Sequence, residues 1–153
     1  MTGQRAVVAL VVAGVVVAIV LLGAAFLPRW WAQRIADQVE GSFASGTTLG
    51  LFYGFVFTLL PLLVLSIATT VFRSWKPRVV ALLFAALLAT PNLLTLGIVL
   101  GSGSGAHAGD RTLDVEAPFF RGASLIGALA AAGVIGAAWY LVSGRRRLRR
   151  RRT

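Results

Sequence analysis

The chain has 153 residues, of which 58% are hydrophobic and only 13% charged, with a mean hydropathy of +0.84. A soluble domain carries about a quarter charged residues, so this balance excludes an ordinary soluble domain and points to an integral membrane protein. The lack of cysteine excludes disulfides and thiolate chemistry, and the formal charge of +10 is informative through its distribution rather than its total.

A spanning helix needs about 20 mostly apolar residues. Four segments qualify: 6–27, 49–72, 79–100 and 122–142. None holds an acidic, basic or histidine side chain in its interior. The first, Ala6–Leu27, follows Arg5 and ends near Gly23-Ala24-Ala25, which resembles a cleavage site. Its apolar run exceeds the roughly 7–15 residues of a signal peptide core, so it is expected to be an uncleaved anchor. Gly14 and Ala18 are its clearest small pair.

The first connecting loop, 28–48, carries Trp31, Ile35, Val39 and Phe43 at i+4 spacing, with Arg34, Asp37, Gln38 and Glu40 between them. That stripe predicts a short amphipathic helix lying in the membrane interface. Trp30 and Trp31 mark that boundary, as amphipathic rings do.

The second and third spans are joined by a short basic stretch, Arg73 to Arg78, and therefore form an antiparallel hairpin. Gly50, Gly54, Thr58 and Pro61 share one face of the second span. Thr90, Leu94, Gly97 and Gly101 share one face of the third, at matching depths. Close contact between these two glycine pairs is expected. Pro61 and Pro91 lie near mid-span and free the carbonyls of Phe57 and Leu87. In lipid such groups need partners, and Thr58, Thr90 and Asn92 stand at the right height. The triplet Thr90-Pro91-Asn92, with Thr95, suggests matched kinks, or a polar midplane site of the sort transporters build from interrupted helices. At 100° per residue Thr90 faces the second span, and Asn92 faces away from it, towards another helix or another chain.

The second connecting loop, 101–121, starts as a Gly/Ser linker. His107, the only histidine, is expected to be solvated there. The spacing of Asp110, Asp114 and Glu116 matches no calcium loop. The stretch from Arg111 to Phe120 has alternating, strand-like character. The fourth span carries two rows of small residues: Ala123, Gly127 and Ala131, and Ala128, Ala132 and Gly136. Such rows let helices approach closely.

The tail, 145–153, holds Arg145, Arg146, Arg147, Arg149, Arg150, Arg151 and Arg152. A block of this kind is drawn to anionic lipid at about 1 kcal/mol per charge. No aromatic residue interleaves with it as single-stranded RNA sites often require, so nucleic acid is not the expected partner. Arg5, the cluster Arg73, Lys76 and Arg78, and the tail place eleven basic residues on one side. Arg29, Arg34, Arg111 and Arg121 lie on the other, with all five acids. The positive-inside rule then puts both termini in the cytoplasm and loops 28–48 and 101–121 outside.

The expected fold is an all-α integral membrane protein. It has four transmembrane helices in one domain over 1–144, both termini cytoplasmic, and a short interfacial helix in the first outer loop. Fourteen of the fifteen basic residues are Arg and the chain is rich in Ala, Val and Gly, a usage associated with bacterial genomes, so a bacterial cytoplasmic membrane is expected. No acid–base pair, nucleophile motif or phosphate loop points to catalysis, and no cofactor or metal is expected. Four-span multidrug transporters are similar in span count only. Their proton-coupling membrane carboxylate has no counterpart in the first span, which contains no acid. Two function classes remain. One is an accessory or assembly subunit of a larger membrane complex, using lipid and helix contacts. The other is a small oligomeric permease or channel for an uncharged solute.

Overall fold

The computed structural model describes residues 2–150, with side chains defined over 7–142 except at 9 and 19. Five helices follow in chain order: α1 Thr2–Val39, α2 Phe43–Val71, α3 Trp75–Leu100, α4 Ser104–Glu116 and α5 Phe120–Arg150. No strand occurs among the described residues. Four helices are long and apolar enough to cross a membrane, over Leu10–Val39, Phe43–Val71, Trp75–Leu100 and Phe120–Val142.

Residues 28–48 do not form a loop with a helix of its own. Pro28 lies inside α1, which runs on to Val39. A proline inside a helix removes one N–H and frees the carbonyl four residues earlier, here that of Ala24. Gly105 of α4 covers that position: a methyl group added to Gly105 would stand 2.7 Å from the Ala24 carbonyl oxygen. The helix thus passes its proline with a second backbone pressed against it. It stops at the left-handed pair Glu40 (φ 52°) and Gly41 (φ 70°). Gly41 N–H donates to the Glu116 carbonyl at 2.9 Å, joining this turn to the end of α4. Ser42 then caps α2, its hydroxyl accepting from the Ser45 N–H.

The stretch expected to be a linker and strand, 101–121, is mostly α4. Gly105, Gly109, Leu113 and Ala117 recur at i+4 and are all buried. This row dominates the alternation of Leu113 and Val115, and Val115 is left exposed. His107 is exposed.

α2 and α3 form the antiparallel hairpin, closed at its turn by Arg78 Nε donating to the Phe72 carbonyl at 2.9 Å. α2 packs against α5 as well as α3, and α4 packs mainly on α1. The core lies at the end of the bundle that carries α4. It comprises Trp31, Ala32, Ile35 and Val39 of α1, Ile98 of α3, Leu113, Ala117 and Phe120. Trp31, Ile35 and Val39 of the expected interfacial stripe therefore face protein. Trp30 is partly exposed and Phe43 is exposed, stacked on Phe119. Every described side chain from Val7 to Leu22 is exposed.

Candidate functional site

The contact between α2 and α5 sets the geometry. Methyl groups at Gly46, Gly50 and Gly54 would collide with the carbonyls of Pro118, Phe120 and Ser124 in turn. The i+4 spacing places all three glycines on one face of α2, and the absent side chains let α5 lie against its backbone. α5 reciprocates at Gly127, where a methyl would stand 2.8 Å from Phe55 N. Ala123 and Ala131 of the same row are fully buried. The second row is open: Ala132 and Gly136 are exposed, and a methyl at Gly136 would meet no atom within 4 Å.

This arrangement corrects the glycine pairing expected within the hairpin. Gly50 and Gly54 meet α5, not α3. Gly97 is exposed, with no atom within 4 Å of an added methyl. Gly101 approaches Ala106, at the start of α4. One small face on α2 cannot receive two helices, and α5 occupies it with a complementary row of its own.

The orientation of the Thr-Pro-Asn triplet is also the reverse of the expectation. Thr90 is exposed and donates to the Ala86 carbonyl of its own helix at 3.3 Å. Asn92 faces α2: its Nδ2 donates to Thr58 Oγ1 at 2.8 Å and to the Gly54 carbonyl at 3.2 Å. These bonds link α3 to α2 and leave the carbonyls freed by the prolines to other arrangements. Asn92 Oδ1 is buried without a donor. Pro61 is buried and Pro91 half-buried. With the α2 glycines taken by α5, α3 approaches α2 on another side, where Asn92 replaces the glycine contact with hydrogen bonds.

Thr95 makes the second polar link. Its Oγ1 donates to the Pro91 carbonyl at 3.0 Å and accepts from Trp31 Nε1 at 3.0 Å. Trp31 in turn packs edge-on to Tyr53 of α2, so three helices meet around one indole. Buried Tyr and Trp rings generally find a partner for their polar atom, and Tyr53 OH donates to Gln38 Oε1 at 3.2 Å.

α3 and α5 flank α2 and leave a gap between them. That gap is a cavity of about 750 Å³, lined among others by Thr58 of α2, Asn92, Thr95 and Val99 of α3, and Ser124 and Leu125 of α5. At its α4 end Arg121 extends one guanidinium nitrogen to Asp110 and another to Asp114. Asp110 and Asp114 lie one helical turn apart on α4, so one planar guanidinium bridges both. A smaller hollow of about 270 Å³ lies between α1 and α3, lined by Val20, Gly23, Leu27, Leu93, Gly97 and neighbours.

No family of known proteins, no curated protein and no solved structure matches the chain.

The Arg121 bridge and Ser124, which is 5% exposed, were missed by sequence reasoning. Asp110 and Asp114 at i+4 on a helix signal such a bridge, but only once residues 104–116 are recognised as helical. Side chains of Arg145, Arg146, Arg147, Arg149 and Arg150 lie outside the described ones, and Arg151 and Arg152 lie outside the described residues.

Proposed function

We propose that the chain is a non-catalytic subunit or assembly partner of a larger complex in a bacterial cytoplasmic membrane, with both termini inside. The observation that carries this reading is the division of α1. Its second half is built into the core through Trp31, Ile35 and Val39, whereas its described side chains from Val7 to Leu22 are exposed throughout. The open row Ala132 and Gly136 on α5 adds a second exposed face. Small residues on an open face permit close approach of another helix in lipid. Asn92 Nδ2 and the Thr95 hydroxyl are engaged between helices of the chain itself. The tail Arg145–Arg152 adds attraction to anionic lipid.

The test is gentle extraction from native membranes and identification of what accompanies the protein. Stoichiometric recovery of a larger membrane protein is expected. A homogeneous homo-oligomer with no partner sinks the reading. Orientation has its own test, since the chain lacks cysteine. A membrane-impermeant maleimide should label His107→Cys in intact cells, and Ser74→Cys only after permeabilisation.

The second reading is a small oligomeric permease or channel for an uncharged solute, favoured by the cavity reaching Thr58 and Asn92. Solute flux into liposomes holding only this chain would establish it. It ranks second because Asn92 directs its amide nitrogen to α2.

A further inference from the structure

The cavity between α3 and α5 has two chemically different ends. Its sides are Leu96, Val99 and Leu100 on α3 and Leu125 and Ala128 on α5. Leu96, Val99, Leu100 and Leu125 are about half exposed or more. The cavity therefore opens sideways, between two helices long and apolar enough to cross a membrane. In a membrane that opening faces hydrocarbon. Three of the polar side chains deeper in it are at least partly engaged. Asn92 Nδ2 is bonded to Thr58 and the Gly54 carbonyl, and the Thr95 hydroxyl lies between Pro91 and Trp31. What remains for an occupant at that depth is a mostly apolar wall, in which Ser124 and the donorless Asn92 Oδ1 are the other polar groups.

The α4 end is charged. Asp114 and Arg121 both line the cavity there, and Asp110 completes the cluster. Two carboxylates around one guanidinium leave one net negative charge. The side chains of Arg121, Asp110 and Asp114 are 28%, 38% and 58% exposed, so each keeps room for a further partner. A guanidinium has five N–H donors and an ionised carboxylate about four acceptor sites, and the bridge engages only some of each. The surface at the mouth thus offers donors beside acceptors, with a small excess of negative charge.

We propose that this cavity binds one acyl chain of a membrane phospholipid whose zwitterionic head carries a primary ammonium, as in phosphatidylethanolamine. The ammonium donates to Asp114 and the phosphate accepts from Arg121. The chain lies along Leu96, Val99 and Leu125 towards Thr58. The second acyl chain stays in the bilayer at the lateral opening. A volume of about 750 Å³ falls within the range of roughly 300–1,000 Å³ typical of ligand sites. An anionic head meets the net negative charge and is disfavoured. A quaternary ammonium cannot donate to Asp114 and is weaker. This assignment is independent of the subunit proposal and needs only that the four helices lie in a bilayer.

The test is native mass spectrometry of the full chain released from vesicles containing equal parts of phosphatidylethanolamine, phosphatidylcholine and phosphatidylglycerol with matched acyl chains. One retained lipid per chain is expected, with ethanolamine favoured over glycerol about three- to fivefold, as suits a partly exposed ion pair. Asp114→Asn should abolish that preference while leaving retention in place. Leu125→Trp places a large side chain at the lateral opening and should abolish retention. Its side chain is 61% exposed, and thermal unfolding in detergent should confirm an unchanged fold. Soluble glycerophosphoethanolamine should not displace the lipid, because it lacks the chain. Equal retention of the three lipids, retention unaffected by Leu125→Trp in a folded protein, or recovery of a non-lipid molecule from the cavity overturns the proposal.

Discussion

Asn92 of α3 donates from Nδ2 to Thr58 Oγ1 of α2 at 2.8 Å, in the apolar middle of both helices. Bonds of this type between membrane helices average about 0.6 kcal/mol and reach about 1.7. A double-mutant cycle with Asn92→Leu and Thr58→Val should therefore give a coupling within that range, measured by reversible unfolding in mixed micelles. The single change Asn92→Leu should cost little more than this, because it also removes the buried, donorless Oδ1. Zero coupling would show that the bond contributes nothing.

Gly54 and Gly97 should respond in opposite ways to the same change. A methyl at Gly54 collides with the Ser124 backbone, which cannot rotate aside as a side chain would. Gly54→Ala should destabilise by about 1–3 kcal/mol, the usual cost of overpacking. Gly97→Ala meets nothing within 4 Å and should be neutral or slightly stabilising. Thermal melts of the two variants in one detergent decide the matter. Equal losses would restore the glycine pairing across the hairpin.

At the Trp31–Thr95 bond the two partners are not equivalent. Trp31→Phe removes the donor and leaves Thr95 still donating to the Pro91 carbonyl. Thr95→Val leaves the Trp31 N–H buried without an acceptor, which costs about 1–3 kcal/mol. Thr95→Val should therefore lower stability more than Trp31→Phe does through the lost hydrogen bond. Chemical unfolding followed by helical circular dichroism is the measurement. The reverse order would mean that indole packing outweighs the hydrogen bond.

Gly41 tests the turn between α1 and α2. Its φ of 70° suits glycine, and an added methyl would meet no atom. Gly41→Ala should cost about 1–2 kcal/mol through backbone conformation alone. Glu40→Gly, at φ 52°, should be neutral or stabilising. A neutral Gly41→Ala would mean that the turn relaxes freely.

Arg121→Gln should loosen α4 from α5 more than it lowers global stability, since partly exposed ion pairs contribute about 0–1 kcal/mol. Hydrogen exchange is expected to rise over Ser104–Glu116 and stay constant over Phe43–Val71. Uniform change in both helices would show that the bridge does not act locally.

Much of the fold was legible in the sequence because some of its causes are local. Four apolar runs long enough for a bilayer, without charge in their interiors, specify four long helices regardless of what they touch. The basic turn from Arg73 to Arg78 is too short for anything but a hairpin. The small row Ala123, Gly127 and Ala131 was likewise recognisable as a packing surface.

The tertiary structure decided which surface meets which. A glycine row on α2 reads the same whether α3 or α5 fills it, and only the competition between two neighbours for one face settles that Gly54 meets Ser124 and Gly97 meets nothing. Asn92 follows from that outcome: α3 is displaced to another side of α2, and the amide turns to Thr58. Pro28 and residues 104–116 show the same dependence. A proline in α1 and glycines at 105 and 109 each argue locally against helix, yet each fits where two backbones press together. Length and apolarity act through the solvent, so the sequence alone determined them. Facing and register act through partners distant in the chain, so only the folded molecule could decide them.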